Sequence, residues 1–158
     1  MSSTTPNHTS ATSIRGASDA AHPRVVLMSL WTTMLFVFAY VDIFAFWRAD
    51  VIEGSLAGTV PVSGFTIDQR FLVLTTLYVL VPSLMIAGST MLPWRILRPL
   101  TIGLAGLYAA TITASTVGEP WAYYLIGSAV EVAVLIVIIL WAWRHRTADR
   151  AAPTTVDA

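Results

Sequence analysis

Cysteine and lysine are both absent from this 158-residue sequence, and charged side chains make up only 11% of it. The absence of cysteine excludes disulfide bonds, thiolate metal sites and dithiol redox chemistry. The nine basic residues are all arginines, and they form no basic arm of the kind that binds nucleic acid, so we expect no nucleic-acid partner. No metal or cofactor site is predicted, because the histidines lie outside the apolar segments and lack the spacing of a ligand set (His8, His22, His145).

Apolar residues are abundant, at 56% of the chain, and the mean hydropathy of +0.70 is too high for an ordinary soluble domain. Crossing about 30 Å of hydrocarbon takes about 20 helical residues. Four segments are long enough, and each is predicted to be a helix because irregular backbone cannot be exposed to lipid. The predicted fold class is therefore all-α, a four-helix transmembrane bundle with spans at about 25–47, 71–92, 97–117 and 120–143.

The other segments divide into two tails and one long loop. Residues 1–23 are rich in Ser, Thr and Ala and lack the apolar stretch of a signal peptide, so they are predicted to be a disordered tail. Residues 145–158 are predicted to be a second one, which leaves a membrane domain of 24–144. The loop at 48–70 contains three glycines and one proline that favour turns, with a short extended piece at 59–62. A loop of this length is either a binding element or a plain connector.

The arginines are distributed unequally between the two sides of the predicted membrane domain. Two of them, Arg48 and Arg70, lie in the long loop. The other seven lie in the two tails and in the connection between the second and third spans (Arg15, Arg24, Arg95, Arg98, Arg144, Arg146, Arg150). Because basic residues accumulate in short cytoplasmic segments, this distribution predicts that both termini face the cytosol.

Glu131 is the most informative residue, because it lies in the middle of the fourth predicted span. It is ten residues beyond Trp121, which corresponds to about 15 Å along a helix. An ionisable group at that depth is costly and is usually retained for a function. A second acid, Asp42, lies near the outer end of the first span.

Helical spacing places more polar residues in the outer half of the bundle. We therefore predict a water-accessible cavity that opens outward and is lined by Asp42 and Glu131. Two carboxyl groups without a cationic partner cannot both be comfortably ionised in a dry site, so one is expected to hold a proton. The predicted substrate- or proton-binding residues are Glu131, Asp42, Tyr78, Tyr108, Thr111, Ser115, Tyr124 and Ser128.

Small residues line a different face of the third span, at Gly103, Gly106, Ala110 and Ala114. This small-residue seam would let another helix approach closely, in a homodimer or with a partner protein. Two functions remain open. One is small-molecule binding or proton-coupled transport through the cavity, and the other is an accessory or scaffold subunit in which the acids are structural. No nucleophile–base pair is visible, so an enzyme is not predicted.

The first predicted span closes with Tyr40-Val41-Asp42-Ile43. With this motif and its four spans, the chain resembles a family of small bacterial four-span membrane proteins of unknown function, over about residues 24–144. The resemblance implies a multi-pass protein of the bacterial cytoplasmic membrane and implies no particular activity. The layout is also loosely similar to that of DoxX-like four-span proteins.

Overall fold

The computed structural model describes residues 23–61 and 63–145, and the regular elements in this part of the chain are five helices. Four of these helices are long and apolar enough to cross a membrane, which confirms the predicted all-α four-span fold. Apart from Pro23 and His145, both predicted tails lie outside the described residues. The helices are α1 (Pro23–Ala45), α2 (Ala49–Leu56), α3 (Gln69–Met91), α4 (Trp94–Ser115) and α5 (Ala122–Arg144).

Local sequence signals account for the helix ends, which lie within three residues of the predicted span limits. The Asp68 carboxylate accepts a hydrogen bond of 2.8 Å from the Phe71 backbone N–H, and this bond caps the first turn of α3. Pro93 precedes α4, where its missing N–H costs nothing because the first turn has no internal partner. Gly118 adopts a positive φ of 83° in the turn before α5, a conformation that glycine reaches without a steric penalty.

The segment between α1 and α3 is more ordered than a run of turns. It contains the short helix α2, which the sequence analysis did not predict. Beyond α2, an isolated antiparallel bridge pairs Thr59 with Thr66, and the Val60 N–H donates a hydrogen bond of 2.8 Å to the Phe65 carbonyl. The bridge falls in the region predicted to be extended, although Val62 lies outside the described residues. The backbone turn thereby holds Phe65 near the end of the bundle that contains the end of α1 and the start of α3.

The four long helices are arranged in the order α3, α1, α5, α4. Helix α1 packs extensively against α3 and α5, and α5 packs extensively against α4. Helices α3 and α4 share few contacts although a two-residue connection joins them. A short connection favours close packing of the two helices that it joins, and a short connection also joins α4 to α5. That close packing is observed for α4 and α5, whereas α3 and α4 form a loosely packed boundary.

The packed core lies mainly in the half of the bundle that contains the start of α1. The fully buried residues of α3 are all in its second half, at Pro82, Met85 and Ser89. The first half of α3 buries no residue completely, so the bundle is solid at one end and open at the other. The largest fully buried apolar side chains are Leu27, Trp31, Met34, Leu97, Leu135 and Ile138.

Helices α1 and α5 are in tight contact where Gly127 faces Val41. A Cβ atom built on Gly127 would overlap the Cγ2 atom of Val41, which is itself buried. Glycine at this position therefore allows the two helices to approach closely. This contact lies next to Ser128 and one helical turn from Glu131, so it helps to fix the depth at which the acid enters the bundle.

We predict that Gly127→Ala lowers the free energy of unfolding by about 1–3 kcal/mol, the usual cost of overpacking a close contact. The measurement is reversible unfolding of the detergent-solubilised protein, followed by circular dichroism.

Gly106→Ala on α4 is the matched control, because a Cβ atom there meets no atom within 4 Å. This variant is expected to unfold like the wild type or slightly later. Equal stability of Gly127→Ala and wild type would contradict the close α1–α5 contact.

Candidate functional site

A cavity of about 450 Å³ lies in the open half of the bundle, among α1, α3, α4 and α5, with Phe65 of the loop contributing to its wall. The cavity brings together residues from all four long helices that were predicted from helical spacing. Eight site residues were predicted, and one of them, Tyr108, is not among the lining residues. The seven predicted residues that line it are Asp42, Tyr78, Thr111, Ser115, Tyr124, Ser128 and Glu131.

Glu131 lies in the wall of this cavity and is otherwise enclosed by protein. Its side chain is only 2% exposed, and its Oε1 atom has no hydrogen-bond partner among the described residues. Most buried carboxyl oxygens in proteins are hydrogen-bonded, so an unsatisfied one is unusual. A glutamate kept for a structural hydrogen bond would be expected to use this oxygen. The Oε1 atom is instead left unsatisfied inside the bundle, beside a cavity that Glu131 itself lines.

Asp42 lines the same cavity from α1, so the two acids share one site. None of the described residues that line the cavity is basic. Two carboxyl groups in one partly dry cavity repel each other when both are ionised, and each loses hydration there. The site therefore favours a bound proton, a bound cation or both.

Hydroxyl groups in the cavity wall are oriented by hydrogen bonds between helices. The Tyr124 hydroxyl of α5 donates to Ser115 Oγ of α4 at 2.9 Å, and Ser115 Oγ donates to the Ile112 carbonyl at 2.7 Å. Elsewhere in the wall, the hydroxyls of Tyr78 and Thr111 share a hydrogen bond of 2.7 Å between α3 and α4. These bonds hold polar oxygen atoms in fixed positions around the two acids.

Tyr108 contributes to the site indirectly, through the backbone of α3. Pro82 lies within α3 and lacks an N–H, so the carbonyl of Tyr78, four residues earlier, receives no helical hydrogen bond from it. The Tyr108 hydroxyl donates a hydrogen bond to that same carbonyl. The rings of Tyr78 and Tyr108 also pack with their centroids 4.5 Å apart. Tyr108 thus positions Tyr78 and joins α4 to α3 across their loosely packed boundary.

A charged cluster lies at the same end of the bundle. The Arg48 side chain is 6% exposed and forms ion pairs with Asp50 at 2.6 Å and Glu119 at 3.0 Å. Its guanidinium group also lies 4.8 Å from the ring centroid of Trp121. The hydrogen bonds from Arg48 lower the pKa of Asp50, and the bond to Asp50 raises the pKa of Arg48. The cluster ties the end of α1 to the turn before α5.

The sequence analysis did not predict this cluster. The available signal was the position of the three charges, each just beyond the end of a predicted span. Arg48 follows Asp42 by six residues in the sequence, but it is engaged by Asp50 and Glu119. The cavity acids are therefore not neutralised by the arginine closest to them in the sequence.

The small-residue seam of α4 lies on an outer face of the bundle. Gly103, Ala110 and Ala114 are exposed and Gly106 is half-buried. A Cβ atom on either glycine would meet no atom within 4 Å, so this face is uncovered in the single chain. The homodimer or partner helix predicted for the seam stays a prediction.

With the fold and cavity described, comparison with known proteins assigns the family. A model of the family of unknown function DUF6326 matches residues 19–152. The chain belongs to this family. The match confirms the predicted resemblance to a family of unknown function, while the looser similarity to DoxX-like proteins stays a prediction. No curated protein and no solved structure matches the chain, so the function of this DUF6326 member must be argued from its own residues.

We predict that Tyr108→Phe lowers the free energy of unfolding by about 1–3 kcal/mol, because it removes the donor to a backbone carbonyl that has no helical partner. Unfolding in detergent would measure the loss. The ring and its packing are retained, so the change reports mainly on the hydroxyl group.

A double-mutant cycle with Pro82→Ala tests the cause. Alanine at this position restores an N–H that can bond the Tyr78 carbonyl, so Tyr108→Phe should cost less than half as much in that background. Any cavity left by removing the proline ring is present in both Pro82→Ala and the double variant, so its energetic cost cancels when the two are compared. An equal cost in both backgrounds would contradict this role of Tyr108.

Proposed function

We propose that this protein binds a small cation between Asp42 and Glu131 and exchanges it for a proton. The single observation that carries the proposal is that Glu131 lines the cavity while its buried Oε1 atom has no hydrogen-bond partner among the described residues. The four apolar helices and the family match support a multi-pass membrane protein. On this proposal it acts as a binding or transport protein and not as an enzyme.

The lining of the cavity favours a cation over an anion or a neutral molecule. Two carboxyl groups face the cavity, and the described lining residues include no basic side chain to balance them. The Tyr78 and Tyr124 rings also line it, and aromatic faces attract cations within about 6 Å of the ring centre. An anion entering this site would meet unfavourable charge from both acids.

Competition between a proton and a cation follows from the same two acids. When the cavity holds no cation, desolvation and mutual repulsion favour a proton on one carboxyl group. A cation that pairs with that group displaces the proton, so each lowers the affinity of the site for the other. Such coupling is reciprocal, which is the thermodynamic requirement for exchange.

The proposed setting is the bacterial cytoplasmic membrane, with both termini in the cytosol and the cavity open to the outside. The arginine distribution supports this orientation. At the proposed inner end, Arg24 donates to the Leu92 carbonyl at 2.7 Å, and Arg98 Nε donates to the Ala142 carbonyl at 3.1 Å. Both carbonyls lie at the C-terminal ends of helices, where positive charge is favourable.

The exposed small-residue seam favours a second candidate function, that of an accessory or scaffold subunit. The open space beside Gly103 and Gly106 would accept a helix from a partner or from a second copy. In that case the two acids would be structural, and the cavity would bind no cation.

We predict that tetramethylammonium binds the detergent-purified protein more tightly at pH 8 than at pH 5.5, because protons compete for the same carboxyl groups. Glu131→Gln should weaken binding at least tenfold and remove most of the pH dependence. Equilibrium dialysis with the labelled ion measures both quantities.

Glu53→Gln is the matched control, because Glu53 is exposed on α2 and does not line the cavity. This variant should bind like the wild type. If wild type and Glu131→Gln bind equally, or if neither binds, the cation proposal is wrong and the accessory-subunit function is favoured.

A further inference from the structure

The acidic cavity continues into an apolar groove on the side of α3. The groove has a volume of about 330 Å³. Phe65, Phe71 and Tyr78 line both the groove and the cavity, so these three aromatic rings form the boundary between them. Leu74 and Thr75 complete the groove. A molecule that occupied both spaces would pass between these rings, with one end near the acids and the other against α3.

The position of the groove on α3 shows where it opens. Its helical residues, Phe71, Leu74, Thr75 and Tyr78, follow the spacing of a single face. Tyr78 on this face bonds to Thr111 of α4, so the face looks toward the loosely packed boundary between α3 and α4. Leu74 is 67% exposed. The groove therefore opens sideways, toward the place that lipid chains would occupy around the bundle.

We propose that the ligand of this site is an amphipathic cation with a single apolar tail. Its positive head lies between Asp42 and Glu131, and its tail lies in the groove beside Leu74. This inference rests on the cation site proposed above and specifies the class of its ligand. From Phe71 to Tyr78 the groove follows α3 for about 10 Å, a length that an octyl chain spans.

Charge and polarity at the two ends select this class of ligand. A small hydrophilic cation would satisfy the acids and leave the groove empty. A lipid with an anionic head would place its charge beside two carboxyl groups and no basic lining residue. A cation with a tail matches both ends, since the tail exchanges water for the apolar surfaces of Phe71 and Leu74.

The loosely packed boundary also gives such a ligand a route into the site. Across it, α4 is joined to α3 by the hydrogen bonds from Tyr108 to the Tyr78 carbonyl and between the Tyr78 and Thr111 hydroxyls. The second of these bonds lies at the boundary between cavity and groove. A cation dissolved in the outer leaflet can reach the acids here without leaving the membrane, on the orientation proposed above.

The test compares tetramethylammonium, butyltrimethylammonium and octyltrimethylammonium ions, which share one head and differ in tail length. Binding to the protein in lipid nanodiscs is measured by equilibrium dialysis, with empty nanodiscs as the blank and with affinity referred to the free aqueous concentration. We expect affinity to rise about fourfold for each methylene group that the groove buries. The gain in affinity from the longer tail should disappear in Glu131→Gln, because the acid is needed to hold the head beside the groove.

Two tryptophan variants separate the groove from the rest of α3. Leu74→Trp fills the groove, so it should abolish the advantage of the octyl ion and leave tetramethylammonium binding unchanged. Leu77→Trp is the matched control, because Leu77 is also exposed on α3 but does not line the groove. This control should retain the octyl advantage. Matching thermal unfolding of the two variants confirms that both are folded.

The outcomes distinguish this inference from the proposed function. If tetramethylammonium binds and depends on Glu131, but the octyl ion binds no more tightly, the tail site is wrong and the cation site stands. A full octyl advantage in Leu74→Trp leads to the same conclusion. If no ion binds, or if all bind equally to wild type and Glu131→Gln, both proposals are overturned.

Discussion

One backbone carbonyl, which a proline deprives of its helical hydrogen-bond donor, governs how the open half of this bundle is built. In hydrocarbon, a backbone polar group without a partner costs several kcal/mol, so membrane-spanning segments must satisfy their own backbone. Pro82 removes the helical donor from the Tyr78 carbonyl, and the Tyr108 hydroxyl replaces it. The replacement comes from α4, so a local defect in α3 becomes a link between two helices that otherwise touch little.

The same proline divides α3 into two parts with different roles. From Pro82 onward, Met85 and Ser89 are buried and anchor the helix in the core. Before Pro82, the helix turns Phe71 and Tyr78 toward the cavity and the groove. A helix that packed tightly along its full length would close both spaces. Because the second half of α3 is anchored in the core and its first half is loosely packed, the cavity and the groove keep their position and stay open.

Sequence reasoning found the spans and the acid-lined cavity because bilayer thickness and helical periodicity constrain both directly. It placed Tyr108 in the cavity wall because helical periodicity shows which face of a helix a residue is on. Periodicity does not show which atom the hydroxyl of that residue contacts. Sequence reasoning also could not find the loose α3–α4 boundary, since the choice of neighbours depends on how whole faces fit together. Phe65 was missed for a similar reason, because a loop residue has no periodicity that would reveal its position.

The charges at the open end explain why the arginine nearest to Asp42 in the sequence does not neutralise the cavity acids. Arg48 follows Asp42 by six residues and could have served as its counter-ion. It instead forms ion pairs with Asp50 and Glu119 and packs against the Trp121 ring. Separating a buried arginine from its acidic partners is energetically costly, so Arg48 stays with them. The arginine stabilises the end of the bundle, and the acids of the cavity keep their negative potential. On the proposed function, a proton or a cation is the group that completes the electrostatics of the site.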